Sequence, residues 1–292
     1  MLFTICIPTY NRANKIVNTL QSLCNQTFRD FEIVVIDDGS QDDTKKVVDS
    51  LEIDNLRYYY KENGGKHTAL NMGIEKAKGE LFLILDSDDS LLPKALETLS
   101  IIWQEISKKG NLCGIMGRCE ANGQFIGKRF EAESTEMSYI DFHFGKYGGM
   151  YGDCCECIRL DVLKRYRWPE SSLTHFVPEA YVMDRIGLEY SLYCTNEILE
   201  RKEYLTDGIT VNYKTHIQKN CVGYLYNIVS KLEEIFPYSK VKLKHKIITW
   251  WKYWNYVQLD EKGCGPRCKK VNILGWMVRF FRPLLNKLKG WT

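Results

Sequence analysis

Asp86, Asp88 and Asp89 follow directly on the apolar run Leu81–Leu85, in the stretch LFLILDSDDS. Carboxylates packed this closely repel one another, and burial raises the cost of keeping each ionised. A cation, a set of backbone donors or open water must offset that cost. Mg²⁺ and Mn²⁺ favour oxygen ligands and commonly bridge one or two carboxylates to the phosphates of a substrate. Two familiar phosphate cradles are missing. No G-x-G-x-x-G follows the first strand-like run, and no G-x-x-x-x-G-K-[ST] occurs in the chain. A divalent cation held by the D-x-D carboxylates, with a diphosphate on its other side, is the chemistry this spacing points to.

The elements that must position these groups alternate in the first half of the chain. Apolar runs of strand length fall at Phe3–Ile7, Phe31–Ile36, Leu56–Tyr60 and Leu81–Leu85. Helical patterns lie between them: Ile16, Leu20 and Leu23, then Thr44 to Leu51, then Ala69 to Ala77. This alternation predicts βαβ units and a parallel sheet covered on both faces. Ligands of such sheets sit beyond the carboxyl ends of the strands. Three of those ends are polar here: Thr9–Tyr10–Asn11–Arg12, Asp37–Asp38–Gly39–Ser40 and Asp86–Ser87–Asp88–Asp89. Asp37 and Ser40 also fit a plain capping role at the next helix. A further helix is expected from about Pro93 to Ser107, then a strand over LCGIMGRC, and a helix leading into a strand over DRIGLEYSLYCTNEIL. Residues 120 to 180 resist assignment, and the pattern from Asn220 to Leu259 is helical and aromatic.

Composition sets the class. The 292 residues are 45% hydrophobic and 26% charged, the balance of a folded water-soluble chain. With no leader-like N-terminus and no long apolar stretch, the expected location is the cytosol. The eleven cysteines lack zinc-like spacing and read as free thiols. The net charge of +3 is unevenly placed: eight of the 40 Lys and Arg lie between Lys262 and Thr292, where there is no Asp or Glu. The preceding residues hold 32 basic groups against 37 acidic ones. In KVNILGWMVRFFRPLLNKLKGWT, Leu274, Val278, Phe281, Leu285 and Leu288 fall near one helical face, with Pro283 breaking the pattern. This segment and KLKHKIITWWKYWNY, from Lys242, read either as interfacial membrane segments or as helices packed on the rest of the protein. Nothing here resembles a nucleic-acid module.

Together, ICIPTYNR, FEIVVIDDGSQDDT and NGGKHTALNMGIEKAKGELFLILDSDD resemble the nucleotide-binding half of the inverting family 2 glycosyltransferases. The likeness is strong over roughly residues 1 to 105 and looser to about 215. It implies the GT-A fold, a Rossmann-like, mostly parallel sheet flanked by helices, over residues 1–218. Residues 1–105 would form the nucleotide-sugar half and 106–218 the acceptor half, with a helical, basic and aromatic C-terminal extension over 219–292.

The resemblance also implies roles. Pro8, Thr9, Tyr10 and Asn11 match the loop against the nucleoside, and Asp38 matches the carboxylate that accepts from the base. Lys66 lies where a positive group meets the diphosphate. Asp86, Ser87 and Asp88 match the D-x-D, with Asp88 as direct ligand of Mn²⁺ or Mg²⁺, and with Asp86, Asp89 and His216 as further candidates. The general base should be a carboxylate shortly before an arginine-bearing helix. Counting back from Arg185 puts it at Glu179, with Asp184 as rival. The sequence departs from the family here, because the acid is Glu and its paired position is Pro178. The implied reaction is inverting transfer from a nucleotide sugar, UDP as first choice, to a saccharide or lipid-linked acceptor at the inner leaflet, giving a β-glycoside. Two other readings compete with this one. A nucleotidyltransferase would open with a G-x-G-x-R loop, absent here, and a non-catalytic sugar-binding relative would not need the acids at 86, 88 and 179.

Overall fold

A computed structural model describes residues 1–132, 135–204 and 213–287. Among these residues, ten strands form one sheet: β1 (Phe3–Thr9), β2 (Phe31–Asp37), β3 (Leu56–Tyr60), β4 (Leu81–Ile84), β5 (Ser90–Leu91), β6 (Leu112–Ala121), β7 (Gln124–Phe125), β8 (Thr135–Met137), β9 (Cys154–Arg159) and β10 (Ser191–Arg201). The main path runs β3-β2-β1-β4-β9-β6-β10-β5, with β7 on β6 and β8 on β10. The first four strands pair in parallel. β9 then runs antiparallel to both β4 and β6, so the sheet changes character midway.

β1 and β2 are buried along their whole length because both faces are covered. Their alternation sorts the apolar residues. Ile5, Ile7, Ile33 and Val35 pack on one side with Ile16, Leu20 and Leu23 of α1 (Ile16–Cys24). The second helix, α2 (Thr44–Asp49), flanks the same half. Cys6, Val34 and Ile36 pack on the other side with Ala69, Leu70 and Ile74 of α3 (Lys66–Lys76). α4 (Ala95–Ile106) starts two residues after Pro93, whose carbonyl instead accepts from the Thr27 backbone. Asp37 does not cap the following helix. Its Oδ1 accepts the Ser40 N–H at 2.7 Å and closes the turn, while Asp42 Oδ1 accepts the Thr44 N–H at 3.0 Å.

The region that resisted assignment contains α5 (Tyr139–Phe144) and α6 (Leu160–Leu163) and ends where α7 (Ala180–Ile186), the helix expected ahead of β10, begins a little earlier than the sequence suggests. The chain then continues through α8 (Tyr213–Lys219), α9 (Cys221–Ser230), a π-helical turn over Lys231–Ile235, α10 (Leu243–Leu259) and α11 (Ile273–Lys287), which passes through Pro283. These helices build their own core from Leu225, Ile228, Trp250, Trp251, Tyr253, Trp254 and Val278. The aromatics of the block beginning at Lys242 are therefore packing residues and not a membrane face. The extension also sits close on the sheet-bearing part of the chain: a Cβ at Gly223 would meet the Phe176 carbonyl oxygen at 1.7 Å. Among the described residues, no helix is long and apolar enough to cross a membrane.

Candidate active site

The carboxyl ends of β1, β2 and β4 open into a cavity of about 840 Å³. The register explains the convergence. The last β1–β4 pair is Cys6 with Ile84, and two residues on the chains reach Pro8 and Asp86. Pro8, Thr9, Tyr10, Asp38, Lys66, Asp86, Ser87, Asp88, Asp89 and Glu179 all line the cavity. Asn11, Asp184 and His216 are not among its lining residues.

The D-x-D segment is a tight turn between β4 and β5, with the Asp89 N–H donating to the Asp86 carbonyl at 3.0 Å. Its three carboxylates have different surroundings. Asp86 faces Lys66 Nζ at 2.5 Å, and the same ammonium reaches Glu179 Oε1 at 2.8 Å. Burial opposes the charge on Asp86, but Lys66 and Lys202 outweigh it and hold the carboxyl at about 2. Burial likewise opposes the charge on Lys66, and Asp86 and Glu179 more than compensate, so its pKa is raised. Asp89 is spent on structure: one oxygen pairs with Lys202 Nζ and the other accepts the Glu203 N–H, both at 2.8 Å.

Asp88 is the exception. Its ion pair with Arg12 Nε is long, at 3.9 Å. Burial first, then the charges of Asp86 and Asp89, push its carboxyl upward. A cation would relieve that repulsion, so the donor set fits a hard divalent ion held by Asp88 together with a substrate's phosphates. Among the described residues, no group of three or more His, Cys, Asp or Glu could hold a metal by themselves.

The loops after β1 and β2 are locked together. Asn11 takes up a left-handed conformation, φ 50°, tolerable for asparagine. Its N–H donates to Ser40 Oγ at 2.8 Å and its Oδ1 accepts the Gln41 N–H at 2.8 Å. Asn11 thus shapes the loop from behind, leaving Tyr10, 45% exposed, as the aromatic at the cavity. Asp38 Oδ1 accepts from Lys61 at 2.6 Å and from Gly64 N–H at 2.9 Å; Oδ2 accepts from Gly65 N–H at 2.7 Å. Three of about four lone-pair positions are used. One acceptor position remains on Oδ2. Gly65 is required at that bend, with φ 94° and the His175 carbonyl oxygen 1.8 Å from where a Cβ would stand. α3 begins at the next residue, so its N-terminus and Lys66 present positive potential to the cavity together.

Glu179 lies at the entry to α7, on the cavity wall. Its rival, Asp184, is 1% exposed and bonds His143 Nδ1 at 2.6 Å, with Lys231 at 3.4 Å. Burial disfavours its charge, but Lys231 and His143 hold its pKa down. Asp184 therefore reaches the cavity only through His143. His216 on α8 stands edge-on to Phe176 and 3.3 Å from the Tyr224 hydroxyl. Arg185 fastens α7 to the C-terminal extension through Glu234, at 2.6 and 2.9 Å.

The structure adds residues that the sequence reading missed. Lys202 and Glu200, at the end of β10, join Asp89 across the cavity floor. Burial pushes Glu200 up to about 7 despite Lys202. Glu156, in the middle of β9, accepts from the Tyr139 hydroxyl at 2.8 Å. Burial, against that hydrogen bond and with the Glu179 charge nearby, raises it to about 8. The available signal was an acid inside each strand, the lone Glu156 of CCECIR and Glu200 of EILER, which follows two apolar residues.

Comparison with known proteins fits this geometry. The sequence model of glycosyl transferase family 2 matches residues 4–167, more than half of the chain. A GalNAc(5)-diNAcBac-PP-undecaprenol beta-1,3-glucosyltransferase of Campylobacter jejuni is 30% identical over 82% of this chain and 76% of its own length. In structure, S. aureus TarS 1-349 in complex with UDP-GlcNAc superposes with a TM-score of 0.59 over 90% of this chain and 74% of that one, at 18% identity. The mannosyltransferase PcManGT of Pyrobaculum calidifontis, in complex with GDP-Man and Mn2+, gives 0.57 over 99% and 81%, at 15% identity. Those likenesses show a GT-A fold, and the sequence match shows the rest: this chain belongs to glycosyl transferase family 2 and is a glycosyltransferase.

Proposed function

We propose that the protein moves a sugar from a UDP-linked donor to a saccharide or lipid-linked saccharide acceptor with inversion, giving a β-glycoside from an α-linked donor. One observation carries the reading. Lys66 stands between Asp86 of the D-x-D turn and Glu179, which puts a phosphate-facing cation and a carboxylate base in one cavity. The relatives support the substrate classes: the Campylobacter enzyme is named for an undecaprenol-diphosphate-linked acceptor, and TarS holds UDP-GlcNAc.

In this reading Tyr10 and the loop after β1 cover the base, and the free position on Asp38 accepts one base N–H. Lys66 and the α3 N-terminus stabilise the negative charge that builds up on the departing diphosphate. Asp88 would hold Mg²⁺ or Mn²⁺, which supplies further charge neutralisation at the diphosphate when bound. Donor binding draws Lys66 toward the phosphates and frees Glu179. Glu179 then takes the proton of the acceptor hydroxyl as its oxygen attacks the anomeric carbon from the face opposite the leaving group. The test is a panel of UDP-sugars with undecaprenyl-diphosphate-linked and free saccharide acceptors, read by proton NMR of the product's anomeric signal. A β-linked product that Glu179→Gln no longer forms supports the reading. An α-linked product, or full turnover by Glu179→Gln, contradicts it.

A further inference from the structure

The side of α11 that packs on the protein mixes polar and apolar residues. The side against the protein carries polar residues: Arg282 donates to the Trp254 carbonyl at 2.9 Å, Asn286 Oδ1 accepts from Trp251 Nε1 at 2.7 Å, and Arg279 stacks over Trp254. Val278 is buried there, with Leu274 and Leu285 packed beside it. The apolar face inferred from the sequence is therefore in part the docked one; Leu288 lies outside the described residues.

A second apolar stripe points outward. Ile273, Trp276, Phe280 and Leu284 are 81, 53, 79 and 57% exposed, and Met277 lies among them. Their spacing of three and four residues aligns them along one ridge, about three turns long. An ordinary surface helix turns such a ridge inward. Exposed Lys269, Lys270 and Lys287 accompany the ridge, within a segment that has no acidic residue from Lys262 onward.

We infer that this face of α11 is an interfacial membrane-binding surface for a bilayer rich in anionic headgroups. The ridge supplies the apolar side chains that enter the headgroup–acyl boundary, and the lysines beside it supply attraction to the negative surface. Charge decides against a second copy of the chain as the occupant, since self-association would bring two acid-free basic segments together. The surface is separate from the cavity, so the inference goes beyond the catalytic reading and does not depend on it. It would keep the enzyme at the surface where a lipid-linked acceptor resides.

The test is sedimentation of the full chain with vesicles of phosphatidylglycerol and phosphatidylethanolamine, and with vesicles of phosphatidylcholine alone. The wild type should bind the anionic vesicles, more weakly as salt rises. Trp276→Glu with Phe280→Glu should cut that binding by about tenfold or more, while leaving the circular dichroism spectrum and donor turnover in solution unchanged. Lys269→Glu with Lys270→Glu should weaken it by a smaller factor. Wild type that fails to bind either vesicle overturns the inference, as does binding that the Trp276 and Phe280 changes leave intact. A wild-type dimer that those changes dissociate, without vesicle binding, assigns the face to a second copy instead. Loss of transfer with vesicle binding intact would count against the catalytic reading alone.

Discussion

Lys66→Met separates what Lys66 does for the fold from what it does for the reaction. The substitution keeps most of the stem and removes the ammonium that sits 2.5 Å from Asp86 and 2.8 Å from Glu179. With an effective dielectric of about 20, each pair would be worth roughly 4 kcal/mol or more. The three side chains are 31 to 39% exposed, however, and solvent screening at such pairs leaves ~0.2–1 kcal/mol each. The expected loss of stability is therefore only about 1–2 kcal/mol, read as a lowered urea midpoint with unchanged slope. The catalytic loss should be larger, because a preorganised charge aimed at a developing anion is worth ~10²–10³ in kcat. Both numbers come from one purified variant, by equilibrium unfolding and by UDP-sugar turnover. A stability loss of that size with turnover within about threefold of wild type would refute the phosphate-facing role, and Lys66 would then only neutralise the two acids.

The other predictions concern neighbouring groups. Glu179→Gln should lower transfer by ~10²-fold or more with little change in stability, whereas Asp184→Asn should destabilise by about 2–4 kcal/mol by disrupting a buried pair yet leave turnover of the folded protein within a few fold; the reverse pattern would make Asp184 the base. Gly65→Ala must relieve both a positive φ and a 1.8 Å approach to the His175 carbonyl, so it should displace the Asp38 contacts and weaken UDP binding in calorimetry; unaltered binding would argue against Asp38 at the base. Asp86, held at about 2 against an ordinary 3.8, contributes stability that is present above pH 4 or so and lost as pH falls through 2; Asp86→Asn should flatten thermal-melt curves in that window. Glu156 is displaced the other way, to about 8 from 4.5, so folding takes up a proton between those values and stability declines as pH rises across them. Glu156→Gln should therefore gain melting temperature relative to wild type from pH 5 to pH 9; a constant difference would mean that Glu156 is charged throughout.

The first half of the fold was legible because its strands are buried on both faces and its helices carry one apolar stripe, so two clean periods alternate from Phe3 to Leu85. The D-x-D turn was legible for the same reason, as a polar break at a strand end. What could not be read were pairs closed by long-range geometry. Asp89 meets Lys202 across 113 positions, and nothing local in EILERKEY announces it. β9 enters antiparallel between β4 and β6 from a stretch of irregular loops, and so delivers Glu156 to the cavity without a periodic signal. One local signal was overlooked: Asn122 and Gly123 both have positive φ in the β6–β7 hairpin, the turn that an Asn-Gly pair favours. In α11 the sequence carries two apolar stripes, and periodicity alone does not say which one docks.

The most direct test of the account is calorimetric titration of UDP into the purified protein, with and without Mn²⁺, repeated on Asp88→Ala. Asp88 has the least compensated of the three carboxylates, so the account predicts UDP binding that strengthens with Mn²⁺ and loses that gain in the variant. UDP binding indifferent to Mn²⁺ and to the substitution would mean that the D-x-D turn serves something other than a metal-held diphosphate.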